Sequence, residues 1–192
     1  MKILITLTSS MQVGQEYIDL THDVVTLLAQ KGHGVVYGGT DYGMMHELAD
    51  SYKNAGGGEL VGVMAKDLMR VTKGYLAYPK LDMTYLEETM GGRKERMIEL
   101  ADAFLILPGG YGTIEELVTI VGAKVNKLHG KPIVILNYGG FYDTLVAFFT
   151  EMKHKDFSKI NLSEVVCVVS DVKEALQYFE TYTSKELADK FV

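Results

Sequence analysis

The chain has 192 residues, 47% of them hydrophobic, with 20 glycines and only 3 prolines, which suits one domain with tight strand-to-helix turns and excludes a disordered chain. A net charge of −6 argues against a general nucleic-acid binder, since such proteins carry a basic face. One cysteine, Cys167, cannot make an internal disulfide, so nothing demands an oxidising compartment, and its apolar surroundings predict a buried structural thiol.

The apolar run at residues 3–7 is too short for a signal or membrane segment and reads as a first strand, in a cytoplasmic protein with no membrane contact. Tyr17, Leu20, Thr21, Val24, Val25 and Leu28 follow at helical spacing, and Gly32 closes that helix. Further strands are expected at 34–37, 60–63, 103–107, 133–136 and 165–169. Residues 64–89 read as a loop with short elements. A helix after residue 110 should pack through Ile114, Leu117, Val118, Val121, Val125 and Leu128. A last helix after Asp171 should turn Val172, Ala175, Leu176 and Phe179 inward. Strands alternating with helices predict an α/β fold, a mostly parallel sheet with helices on both faces. No linker or repeat interrupts the series, so one domain is expected over 1–192.

The most informative stretch is Leu107-Pro108-Gly109-Gly110-Tyr111-Gly112-Thr113-Ile114-Glu115-Glu116. An apolar strand ends there in a glycine turn and a helix begins, an arrangement suited to an anion: glycines let backbone approach a ligand, and helical N–H groups with the positive dipole end favour phosphate. The run is neither a P-loop nor Gly-x-Gly-x-x-Gly. Thr113 is the expected N-cap, which would make Glu116 the third helical residue of a capping box. Upstream, Met90, Arg93, Met97 and Leu100 share one helical face, so a guanidinium lies in an apolar stripe and needs an anion, from the protein or from a substrate. Gly91 and Gly92 weaken a helix interior, so that helix should start at or after them. The five histidines show no ligand spacing, so no metal site is expected. His129 reads as a residue favoured by a helix C-terminus.

The glycine run resembles the Pro-Gly-Gly-x-Gly-Thr-x-x-Glu signature of the Lonely Guy family, whose members are often labelled lysine decarboxylases. Met90-Gly91-Gly92-Arg93-Lys94-Glu95-Arg96-Met97 is similar to that family's Met-x-x-Arg-Lys-x-x-Met. Val36-Tyr37-Gly38-Gly39, Gly43-Met44-Met45, His129-Gly130-Lys131-Pro132 and Leu136-Asn137-Tyr138-Gly139-Gly140-Phe141-Tyr142 extend the likeness. It implies a Rossmann-like fold and hydrolysis of a nucleoside 5′-monophosphate, AMP or a modified AMP such as a cytokinin precursor, to free base and ribose 5-phosphate. On that resemblance Arg93 and Glu116 are the catalytic residues. Lys94, Gly109, Gly110, Tyr111, Gly112, Thr113 and Glu115 bind substrate. Neither metal nor organic cofactor is expected, and a homodimer is. Met44 and Met45 are further candidates to reach the cleft.

The chain departs from the family at Gly91, at Gly122 and Ala123, and in Thr8-Ser9-Ser10-Met11-Gln12, which lacks the usual Cys-Gly-Ser-Ser. These departures fall on pocket positions and leave the base undefined. The alternative reading is a non-catalytic nucleotide or molybdenum-cofactor carrier; a DNA-processing protein of similar fold is disfavoured by the acidic balance. The decarboxylase label finds no lysine context for pyridoxal phosphate.

Overall fold

The computed structural model describes residues 1–188; residues 189–192, the end of the expected domain, lie outside the described residues. The chain forms two compact units, Met1–Asp102 and a second that begins at Ala103.

The first unit holds strands β1 (Lys2–Thr6), β2 (Gly34–Tyr37), β3 (Leu60–Ala65) and β4 (Met83–Glu87), with helices α1 (Gln15–Gln30), α2 (Gly43–Asn54), α3 (Lys66–Val71) and α4 (Met90–Leu100). Its strands run in the order β4-β3-β2-β1, all parallel. All six residues of β3 are buried, as continuous apolar runs in two-sided parallel sheets should be. Helix α1 buries Thr21, Val24, Val25 and Leu28, the core of the predicted stripe. Gly32, at φ +70°, terminates it, with its N–H on Ala29 O and that of His33 on Leu28 O. Such a left-handed turn suits glycine.

Strand β4 was not among the expected elements. Among the described residues it pairs only with β3, and it exposes Met83 and Leu86, so it lacks the buried, apolar signature of the other strands. The Asp82 carboxylate fixes its start, accepting from Leu60 N at 2.7 Å and Lys53 Nζ at 2.5 Å. The segment before it runs antiparallel to the turn after β2: Asp41 N donates to Leu76 O and Tyr78 N to Gly39 O. Backbone pairing of this kind leaves little trace in the side-chain pattern.

The second unit holds β5 (Ala103–Ile106), β6 (Ile133–Leu136) and β7 (Cys167–Val169), with α5 (Tyr111–Val125), α6 (Asp143–His154), α7 (Leu162–Val165) and α8 (Val172–Thr181). Its order is β5-β6-β7, again parallel. Strands β5 and β6 are wholly buried. The last strand is shorter than expected, because Val165 ends α7 and only Cys167 to Val169 pair with β6. Cys167 is half-buried rather than buried, and burial, with Glu174 nearby, raises its pKa. Asp171 caps α8 by accepting from Lys173 N at 2.6 Å. Ala175, Leu176 and Phe179 point inward as expected, while Val172 is only half-buried.

The buried face of α5 is Thr113, Leu117, Ile120 and Lys124, one position away from much of the predicted stripe. Val118 is 44% exposed, and Leu128, beyond the helix end, is 78% exposed. The reason is Lys124. Its stem enters the core and its ammonium donates to Val165 O at 2.9 Å above the Tyr182 ring, so a residue that reads as polar occupies an inward position. His129 is not a charged dipole partner. Its Nδ1 accepts from Lys131 N and its Nε2 lies 3.0 Å from Ile120 O, which defines a neutral ring, and burial lowers its pKa. No helix among the described residues is long and apolar enough to cross a membrane.

Candidate functional site

In the second unit the glycine turn joins β5 to α5. The helix starts at Tyr111, with Gly110 as its N-cap in extended conformation and no side-chain cap. Thr113 is therefore not the cap, and Thr113 and Glu116 form no capping box. They are the third and sixth helical residues. Glycine at the cap offers the first-turn N–H groups no side-chain acceptor of its own, a condition that favours anion binding at a helix start. The Thr113 side chain turns back beneath the loop: it is 3% exposed, and its hydroxyl has no hydrogen-bond partner among the described residues. A Cβ on Gly109 would overlap that hydroxyl, so glycine is required there by Thr113. Tyr111 is 98% exposed. Glu115 is exposed and Glu116 half-buried.

The neighbouring turn, after β6, reaches this loop. The Tyr142 hydroxyl donates to Leu107 O at 2.7 Å, and Tyr142 is 2% exposed. The sequence reading included Tyr142 in a motif but gave it no role; only the pairing of β5 with β6 brings it to Leu107.

In the first unit, α4 begins at Met90, earlier than expected. Thr89 caps it, accepting from Gly92 N at 3.1 Å, and Asp67 Oδ2 accepts from Met90 N at 2.9 Å. These caps hold the first-turn amides and offset the cost of Gly91 and Gly92. Arg93 and Met97 are buried on the predicted face, while Met90 and Leu100 are half-buried. The Arg93 Nε donates to Val63 O at 2.8 Å, within β3. Its Nη2 lies 2.6 Å from where a Cβ on Gly38 would stand, and Met45 Sδ lies 2.9 Å from that point. Met45 thus packs beside the guanidinium, whereas Met44 belongs to the core at 1% exposure. Lys94 is half-buried. Among the described residues no three His, Cys, Asp or Glu side chains gather as metal ligands.

Parallel strands alternating with helices, and glycine turns at strand ends, define an α/β protein of the Rossmann-like class. The chain belongs to the Lonely Guy family, whose model, described as possible lysine decarboxylase, matches residues 45–179. A rice (Oryza sativa subsp. japonica) relative, a probable cytokinin riboside 5′-monophosphate phosphoribohydrolase, is 32% identical over 91% of this chain and 72% of its own length. An Arabidopsis thaliana cytokinin riboside 5′-monophosphate phosphoribohydrolase is 30% identical over 92% of this chain and 80% of its own. The molybdenum cofactor carrier protein of Chlamydomonas reinhardtii superposes with a TM-score of 0.70 at 20% identity, covering 93% of this chain and 95% of that one. This last likeness is one of fold.

Proposed function

We propose that the protein hydrolyses the N-glycosidic bond of a nucleoside 5′-monophosphate, AMP or a modified AMP such as a cytokinin precursor, to free base and ribose 5-phosphate. The observation that carries this reading is the glycine turn at the start of α5, where the N-cap Gly110 has no side chain to cap the helix and the Thr113 hydroxyl has no hydrogen-bond partner among the described residues. The activity named for the rice and Arabidopsis relatives supports it. The carrier reading draws on a likeness of fold alone.

In this mechanism the amides of Gly110 to Thr113 and the Thr113 hydroxyl hold the 5′-phosphate, with Gly109 giving them room. Binding energy from this non-reacting group orients the ribose. The bond from C1′ to the base nitrogen breaks through an oxocarbenium-like state, as in glycoside hydrolysis. Glu116 stabilises that cation or orients the attacking water. Water supplies the hydroxyl that C1′ gains, and a proton goes to the departing base. Arg93 positions substrate and assists departure of the base. Lys94, Tyr111 and Glu115 line the site. The working form is a homodimer in a cytoplasmic setting.

The test incubates the purified protein with a panel of nucleoside monophosphates and their parent nucleosides and detects free base. A monophosphate should be cleaved faster than its nucleoside by orders of magnitude. Equal rates on both overturn the reading.

A further inference from the structure

We infer that Tyr142 is a positioning residue for the anion-binding turn: its buried hydroxyl fastens the start of the Leu107–Gly110 loop to the turn after β6 and so presets the backbone that receives a phosphate. The inference rests on the anion-binding reading of that loop.

The turn after β6 is built as a rigid block. Asn137 occupies its centre, its N–H donating to Val169 O at 2.7 Å, its Oδ1 accepting from Tyr142 N at 2.7 Å and its Nδ2 donating to Asp143 Oδ1 at 2.7 Å. Gly139 and Gly140 adopt φ of +60° and +76°, a conformation that L side chains resist. A side chain at Gly140 would also meet Asp143 Oδ2 at 2.7 Å. Every bond in this block fixes the backbone from which Tyr142 projects.

Its hydroxyl then crosses to the neighbouring strand's exit. It donates to Leu107 O, and the Gly109 amide opposes the rise that burial imposes on its pKa. The hydroxyl thus ties the chain just before Pro108 to the turn after β6. A loop of glycines has many backbone states, and selecting one before ligand arrives removes an ordering cost from binding. Parallel pairing of β5 with β6, Ile106 opposite Ile135, brings the two turns side by side.

Tyr142→Phe deletes one oxygen and keeps the ring. Calorimetric titration of ribose 5-phosphate into the intact protein and the variant measures the effect. Y142F should bind about tenfold more weakly, the equivalent of about 1.4 kcal/mol, with its fold retained. Asn137→Ala, which frees the block without touching the loop, should weaken binding in the same direction. Adenine, which has no phosphate, should inhibit AMP cleavage equally in the original protein and in Y142F, whereas general loosening would weaken its inhibition too. Unchanged ribose 5-phosphate affinity in Y142F overturns the role of Tyr142 alone. No binding by the original protein overturns the anion loop as well. Binding without turnover of any monophosphate overturns the hydrolase reading and leaves Tyr142 standing on its binding data.

Discussion

The guanidinium of Arg93 occupies the space that a side chain on Gly38 would need, its Nη2 2.6 Å from the ideal Cβ position. One residue lies on α4 and the other follows β2, so the sequence separates what the sheet brings together. Glycine in Val36-Tyr37-Gly38-Gly39 thus makes room for an arginine. Gly38→Ala should push Arg93 and Met45 aside, lowering kcat/KM by more than tenfold and stability by about 1–3 kcal/mol, the usual cost of overpacking. Steady-state kinetics beside a denaturant melt check both. A stable variant with full activity would show that the placement of Arg93 is unimportant to the chemistry.

Removing Arg93 itself is not a clean test of its chemistry. The side chain is 3% exposed and bonded to Val63 O, so Arg93→Ala should lose stability together with activity. Glu116→Gln is the sharper change, because Glu116 is half-buried and is not a cap. Turnover should fall at least a hundredfold while the melting temperature moves by no more than about 2 °C, which corresponds to less than about 0.5–1 kcal/mol at this size. A marked loss of stability with activity preserved would return Glu116 to a structural role.

Thr113 offers a test in which stability and function move in opposite directions. A buried hydroxyl without a partner costs about 1–3 kcal/mol of desolvation, and valine has nearly its shape. Thr113→Val should therefore raise the melting temperature while weakening ribose 5-phosphate binding severalfold. Thermal scans and calorimetry together decide the matter, since a purely structural threonine would give the stability gain with no change in affinity.

Much of this was legible in the chain. The glycine run placed the loop between β5 and α5, and spacing put Arg93 on the buried face of α4. Thr113 resembles a cap in sequence, while Gly110 has the extended backbone that a cap requires, so α5 starts three residues earlier than the sequence suggests. Lys124 turned inward against its polarity, moving Val118 and Leu128 outward. Strand β4 escaped notice because an edge strand with Met83 and Leu86 exposed has no core pattern. Tyr142 could be found only from the bond it makes across two turns.

His129 predicts a pH effect with a definite sign. Its folded pKa is lowered by burial, so the unfolded chain binds the proton more readily. The associated stability is complete above the unfolded value of about 6.5 and is lost as pH falls through the lower folded value. Urea midpoints of the original protein should decline between pH 7.5 and 5.5, and His129→Gln should flatten that decline. Equal slopes would locate the acid sensitivity elsewhere.

The assembly prediction rests on α5. Its buried stripe is Thr113, Leu117, Ile120 and Lys124, and one residue on runs a second apolar stripe, Ile114, Val118, Val121 and Val125, of which Val118 is exposed and the others are half-buried. The first stripe already packs the helix into its own unit, so the second is apolar surface in excess of that need. A two-fold contact between copies of the chain would bury it symmetrically. Val118→Glu would place a carboxylate against its own symmetry mate across such an interface, a like-charge contact that opposes association. Light scattering at micromolar concentration should report a dimer for the original protein and a shift toward monomer for the variant, with turnover lost alongside if the proposed dimeric working form is needed for activity. A monomeric original protein with full activity would remove the dimer from the mechanism.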